Sequence, residues 1–291
     1  MTLDSRSLAE RVSAEIGLEL TGTEGQDGDG CRWFELLPAG HPAGQTFTIR
    51  TIVGWRRVDV YFRPGNFAVD LIDAMSSVDE TCRRTFRAIL ATCCDAGAEV
   101  LLTINGTACD HEDETIWEYQ WRSLGLVIGK GMLAINGGDA ETDMRKIELW
   151  TSRLAAAIVA LLPLETEETA DESLEVVGLP EGAKTRIEVN RYERDRRNRA
   201  AAIAIHGYAC KVCYLEMGER YGPAAAGLIE VHHVTPVSKV GPGYIVDPRT
   251  DLIPLCPNCH SAVHRRSPPF TVVELQKILQ QRNKGGRAAH V

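Results

Sequence analysis

Four cysteines in the last third of the chain have the spacing of a zinc site. Cys210 and Cys213 form one CxxC pair, and Cys256 and Cys259 form a second pair further along the chain. Each CxxC presents two sulfurs from one tight turn, and two such pairs complete a tetrahedral zinc site. Because protein ligands then fill every coordination position, we expect this zinc to be structural and not catalytic.

Four histidines lie in the same region, and the zinc site does not need them. His260 and His264 are spaced i, i+4, so they share one helix face, where two imidazoles can bind one metal ion. His232 and His233 are adjacent in the strand-like stretch GLIEVHHVTP, so their side chains point to opposite sides. One of this pair can bind the same ion, and the other is left to act as a base. The alternative is that all four histidines only surround a zinc ribbon.

Arginines flank the metal-binding residues on both sides. Arg265 and Arg266 directly follow the helix with the histidines, which makes them candidates for contacts with a polyanion. Upstream, the stretch RYERDRRNR predicts a helix with arginines around much of its circumference. Arg196 and Arg197 are further candidates there, although such charge runs are more often solvated faces.

The charge of the chain is unevenly distributed. From Lys184 onward there are 17 Lys and Arg against 9 Asp and Glu, whereas the remainder carries 15 against 31. A basic C-terminal part therefore follows an acidic N-terminal part. The basic part suits a polyanion, while the acidic part suits a protein or ligand contact better than a polyanion.

A chain of 291 residues is long enough for roughly two domains. Residues 1–163 mix helix-like and strand-like stretches, including TFTIRTIVGWRRVDVYF, which predicts a hairpin turning near Gly54 and Trp55. TIWEYQW predicts a strand with its aromatic side chains on one side, which favours a core position over a base-stacking surface. Residues 164–183 have the acidic, Gly- and Pro-containing composition of a linker, and 184–291 form the second domain. The predicted fold class is α+β, with a mixed α/β N-terminal domain.

No segment of the sequence predicts export or membrane insertion. The first residues lack a basic and apolar signal pattern, and the longest apolar run, LAAAIVALLPL, is too short to cross a bilayer. Nine cysteines are an odd number, which favours a reducing compartment over a disulfide framework. We therefore expect a cytoplasmic protein without a membrane partner.

The C-terminal sequence closely resembles the HNH endonucleases, in particular the zinc-stabilised branch of McrA-like, modification-dependent restriction enzymes. The resemblance is carried by VNRYERDRRNRAAAIAIHGYACKVC and by GLIEVHHVTPVSKVGPGYIVDPRTDLIPLCPNCHSAVHRR, and it covers about residues 190–279. It implies a ββα-metal unit in which two strands and a helix hold one divalent ion. In the family pattern, His232 binds the metal with His260 and His264, and His233 is the general base.

One position departs from the family pattern. The central Asn of the motif falls on Asp251. In the family this Asn holds the loop with the base by hydrogen bonds, and a carboxylate can accept such bonds but cannot donate them. The resemblance therefore implies that Asp251 orients His233 and is not a metal ligand.

The resemblance implies a metal-dependent DNA endonuclease for restriction or anti-phage defence, with structural Zn²⁺ and a histidine base. The resemblance implies Mg²⁺ or Mn²⁺ at the catalytic site, because members of the family commonly use these ions. Three imidazoles can also bind Ni²⁺ or Co²⁺. The expected partner is DNA, in modified form for systems of this type, and a homodimer is an open alternative. The competing hypothesis is a zinc-ribbon nucleic-acid-binding protein without catalysis. Binding alone would not need a base, which argues against it.

Overall fold

The computed structural model describes residues 4–135, 139–163, 196–235, 244–266 and 268–285. The chain divides into two compact units, Met1–Gly182 and Ala183–Val291. The predicted linker at residues 164–183 lies outside the described residues, so it stays a prediction.

The N-terminal unit contains a seven-stranded antiparallel sheet in the order β1-β2-β3-β4-β7-β5-β6. The strands are β1 Leu20–Gln26, β2 Arg32–Pro38, β3 Phe47–Gly54, β4 Arg57–Pro64, β5 Glu99–Ile104, β6 Thr107–Cys109 and β7 Leu124–Lys130. The helices are α1 Ser5–Ile16, α2 Val69–Ser76, α3 Glu80–Asp95 and α4 Ala140–Leu161. The predicted mixed α/β domain is confirmed.

Alternation along the strands determines which side of the sheet the helices cover. In β3, Phe47, Ile49 and Thr51 are buried, and the residues between them are only half-buried. The Thr51 hydroxyl shares a hydrogen bond of 2.8 Å with Thr151 of α4, which places α4 on that face. Within the described part of the chain, no helix combines the length and apolar character needed to cross a membrane.

The predicted hairpin is confirmed, with Gly54 paired to Arg57 across a two-residue turn. The predicted strand in TIWEYQW is wrong, because Glu114–Trp117 forms a 3₁₀ turn that begins at Asp113. Of the aromatic residues there, Trp121 is fully buried and donates a hydrogen bond of 2.7 Å to the Ile116 carbonyl, whereas Tyr119 is exposed. A core role for Trp121 is therefore correct, although the backbone is not a strand.

The C-terminal unit contains a small ββα arrangement. Its elements are α5 Arg196–His206, α6 Met217–Tyr221, β8 Glu230–His233, β9 Leu252–Leu255, α7 Pro257–Val263 and α8 Val272–Gly285. β8 and β9 are antiparallel, with His232 opposite Ile253 and His233 opposite Leu252. The strands and the following α7 share a core with Leu255 and Val263, as the predicted ββα unit requires.

Candidate metal centres

The four cysteines of the two CxxC pairs converge in the C-terminal unit. The sulfurs of Cys210, Cys213, Cys256 and Cys259 all lie within 4.8 Å of one another. The sulfurs of Cys213 and Cys256 are 3.8 Å apart, which is about the separation that tetrahedral Zn–S bonds of ~2.3 Å produce. Both the donor set and the spacing fit one zinc ion.

Two tight turns bring these cysteines together. In the first, the Tyr214 backbone N–H donates to the Cys210 carbonyl at 2.8 Å, and Tyr214 has a left-handed φ of 61°. The Lys211 N–H donates to the Pro254 carbonyl at 2.9 Å, which attaches this turn to β9. The second turn, at Cys256, starts α7. A zinc ion in this position would therefore fix α7 against the strands.

A second group of metal-binding side chains lies in the same ββα unit. His232 of β8, His260 of α7 and His264 just after α7 each offer a ring nitrogen within 4.8 Å of the others. The Nε2 atoms of His260 and His264 are 3.3 Å apart. Three imidazoles with this convergence fit a divalent transition-metal ion. The structure thus brings together the three predicted histidines.

Glu230 is a site residue that the sequence analysis misses. It precedes His232 by two residues, so the two side chains share one face of β8. His260 donates from Nδ1 to the Glu230 carboxylate at 2.5 Å. A carboxylate on Nδ1 fixes the proton there and directs Nε2 to a metal. The period-two spacing from His232 is the sequence signal that could have identified Glu230.

His233 lies outside this histidine group, on the opposite face of β8. That face also carries Val231, which packs with Ala202 of α5 and with Leu252. The His233 side chain is 6% exposed, as is that of His232. The structure therefore separates the two adjacent histidines by strand alternation, and only His232 joins the helix histidines.

Asp251 connects the segment before β9 to the end of β8. Its carboxylate accepts hydrogen bonds of 2.8 Å from the Tyr244 hydroxyl and from the Asp247 backbone N–H. This bond to Asp251 raises the pKa of the Tyr244 hydroxyl. The backbone carbonyl of Asp251 accepts from the Val234 N–H, also at 2.8 Å. Asp251 thus holds the residue directly after His233 through the backbone.

The arginines of the predicted interface differ in their surroundings. Arg265 is exposed, whereas Arg266 binds both carboxylate oxygens of Glu274 at 2.9 Å and lies 4.1 Å over the Phe270 ring. The Thr271 backbone N–H and Arg266 together lower the pKa of Glu274 to about 2. Arg266 therefore helps to hold the start of α8.

The upstream arginines lie at the start of α5. Arg196 is exposed and Arg197 is half-buried. Farther along the same helix, Arg199 donates to the carbonyls of Ile229 at 2.6 Å and Gly227 at 3.1 Å. Arg199 thereby connects α5 to the segment that leads into β8, and the phosphate-contact roles of Arg196 and Arg197 stay predictions.

Comparisons with known proteins agree with this geometry. Residues 210–266 match the model of the family described as HNH endonuclease. The chain is also 29% identical over 130 residues to the Type IV methyl-directed restriction enzyme EcoKMcrA of Escherichia coli (strain K12). That alignment covers 38% of this chain and 43% of the relative, so the chain spans less than half of the relative's length. No solved structure matches the chain.

Proposed function

Because residues 210–266 match the HNH endonuclease family model and the chain is similar to a methyl-directed restriction enzyme, we propose that the chain is a metal-dependent DNA endonuclease. The observation that supports this most strongly is the convergence of His232, His260 and His264 beside a separate four-cysteine site. A zinc ribbon that only binds nucleic acid has no need of a second metal site. The nuclease hypothesis is therefore favoured over the binding module.

The three converging histidines are proposed to hold the catalytic ion, and Glu230 to orient His260 for that task. A bound divalent ion supplies charge neutralisation at the phosphate and at the departing 3′ oxygen. Mg²⁺ or Mn²⁺ is the proposed ion in the cell, and a set of three imidazoles can also accept Ni²⁺ or Co²⁺. The four cysteines hold structural Zn²⁺, which keeps α7 and its histidines in place.

His233 is proposed to be the general base. A neutral imidazole accepts the proton of the attacking water, so hydroxide forms only as it attacks phosphorus. The position of His233 opposite the metal-binding face keeps its ring out of the metal site. Asp251 is proposed to position His233 through its carbonyl bond to the Val234 N–H.

The proposed substrate is modified DNA. The similar enzyme EcoKMcrA is described as methyl-directed, and we infer a comparable restriction or anti-phage role for this chain. The N-terminal unit would then select the DNA, and the proposed location is the cytoplasm, where incoming DNA is met. A homodimer, which would supply one metal centre for each DNA strand, stays a prediction.

The proposal is tested by incubating the full chain with plasmid DNA, with and without base methylation. Each reaction receives Mg²⁺, Mn²⁺, Ni²⁺ or Co²⁺. Matched control reactions contain a chelator that removes the ion. Nicked or linear product that requires an added ion is the expected result. If the chain binds DNA but none of the ions supports cleavage of either plasmid, the binding module is the correct description.

Two neighbouring arginines offer a matched test of the DNA interface. Arg265→Ala should reduce the slope of log K against log salt by roughly one unit for each lost phosphate contact. Arg266→Ala should instead lower the unfolding temperature of the C-terminal unit, because it removes the contacts with Glu274 and Phe270. Salt-dependent fluorescence anisotropy and thermal unfolding measure the two effects. An unchanged salt slope for Arg265→Ala would show that Arg265 only faces water.

A further inference from the structure

Two large apolar side chains protrude at one end of the N-terminal sheet. Met132 is 89% exposed and Trp55 is 83% exposed, which makes them the most exposed large hydrophobic residues in the described part of the chain. Single exposed apolar residues are ordinary, but neighbouring ones mark contact surfaces. The tip, defined here as residues 54–57 and 131–133, is therefore a candidate interaction site.

A backbone hydrogen bond joins the two segments of the tip that carry Trp55 and Met132. The Leu133 N–H donates to the Arg56 carbonyl at 3.0 Å, which joins the segment after β7 to the β3–β4 turn. Arg56 has a φ of 54° and Met132 a φ of 59°, a left-handed conformation that costs non-glycine residues on the order of 1 kcal/mol.

The charge around the tip differs from that of the domain that carries it. Residues 1–163 contain 24 Asp and Glu against 15 Lys and Arg. At the tip, Arg57 donates to Asp59 at 2.8 Å and to Glu99 at 2.7 Å, so its single charge offsets one of the two carboxylates. Lys130 adds a positive charge, and the two hydrogen bonds that it donates go to backbone carbonyls, which are uncharged. Arg56, whose guanidinium lies 5.6 Å from the Trp55 ring, adds another.

We propose that this tip is a DNA wedge, in which Trp55 and Met132 insert against the bases of a DNA duplex while Arg56 contacts a phosphate. An indole ring stacks on the face of any base, and apolar side chains inserted at a base step open the stack. Arg56, Arg57 and Lys130 outnumber Asp59 and Glu99 by one charge, so the surroundings of the tip can complement a phosphate although the domain as a whole is acidic. The inference deepens the proposed function, on which it rests, by assigning part of substrate binding to the N-terminal unit.

The wedge is tested with the full chain and a duplex that contains 2-aminopurine, without an added catalytic ion. The wild-type chain should raise 2-aminopurine fluorescence, because an opened stack no longer quenches it. Trp55→Ala should abolish that rise and weaken duplex binding by about 5- to 100-fold, the range expected for one lost base stack. Trp55→Phe should keep most of both, and Met132→Ala should reduce the fluorescence rise.

Phe67→Ala is the matched control, since Phe67 is 78% exposed in the same unit but lies outside the tip. It should leave binding and fluorescence unchanged, and Trp55→Ala should keep the wild-type unfolding temperature. The wedge is refuted, and the nuclease proposal stands, if the wild-type chain cleaves DNA while Trp55→Ala matches it in duplex affinity and fluorescence. Loss of self-association in Trp55→Ala with unchanged DNA affinity would also refute it, in favour of a protein contact. A wild-type chain that neither binds nor cleaves DNA overturns both proposals.

Discussion

Replacing His233 with alanine should lower the single-turnover rate of DNA cleavage by about 10²–10⁴-fold, the usual contribution of a positioned general base. DNA affinity and bound zinc should not change, because His233 belongs neither to the cysteine group nor to the histidine group. Quenched-flow cleavage at saturating protein measures the rate, and anisotropy measures the affinity. The effect should persist at every metal concentration, since no metal ligand is lost.

His206→Gln provides a control histidine in the same unit. The ring of His206 lies 3.2 Å from the Pro248 carbonyl, a hydrogen bond that glutamine can replace. This variant should cleave within a few-fold of the wild-type rate. If His233→Ala cleaves as fast as the wild-type chain, another group must accept the proton and the assignment of the base is wrong.

Removing one zinc ligand should have the largest effect on the fold. Cys259→Ala should lose the tightly bound zinc and unfold the C-terminal unit, because structural zinc sites contribute apparent binding free energies of about 10–16 kcal/mol. DNA cleavage should then be abolished. The N-terminal unit contains none of the four ligands and should keep its own unfolding transition. Metal analysis and calorimetry of the purified chain measure both outcomes.

Cys94→Ser is the matched control, because Cys94 is an exposed cysteine of α3 in the other unit. It should retain about one zinc per chain and both unfolding transitions. Wild-type protein that is purified without added zinc, is fully folded and contains no zinc would contradict the role given to the cysteines.

The grouping of the metal-binding residues could be predicted because it depends on local geometry. The i, i+4 spacing of His260 and His264 fixes their shared helix face, and strand alternation separates His232 from His233. The bond from His260 to Glu230 could not be predicted in the same way, because it depends on how β8 packs against α7. No spacing within one element specifies that packing.

One departure from the sequence-based expectations has an identifiable cause. Alternating aromatic residues predict a strand at TIWEYQW, but Asp113 caps a 3₁₀ turn there and burial of Trp121 stabilises it. A phosphate contact by Arg266 stays a prediction, and the structure adds an ion pair of 2.9 Å between Arg266 and Glu274 at the start of α8. That ion pair could not be predicted from the sequence, because it depends on the packing between α7 and α8, which no pattern within one element specifies.

The central claim is that His232, His260 and His264 hold the ion that supports cleavage. The most direct test of this claim is to measure how single-turnover DNA cleavage by His232→Ala depends on the Mn²⁺ concentration. With one imidazole removed, we expect half-maximal cleavage at a higher Mn²⁺ concentration than in the wild-type chain, and partial recovery of the rate as Mn²⁺ is raised. His233→Ala, measured beside it, should stay slow at every concentration. A His232→Ala chain with the wild-type Mn²⁺ dependence and the wild-type maximal rate would contradict the account.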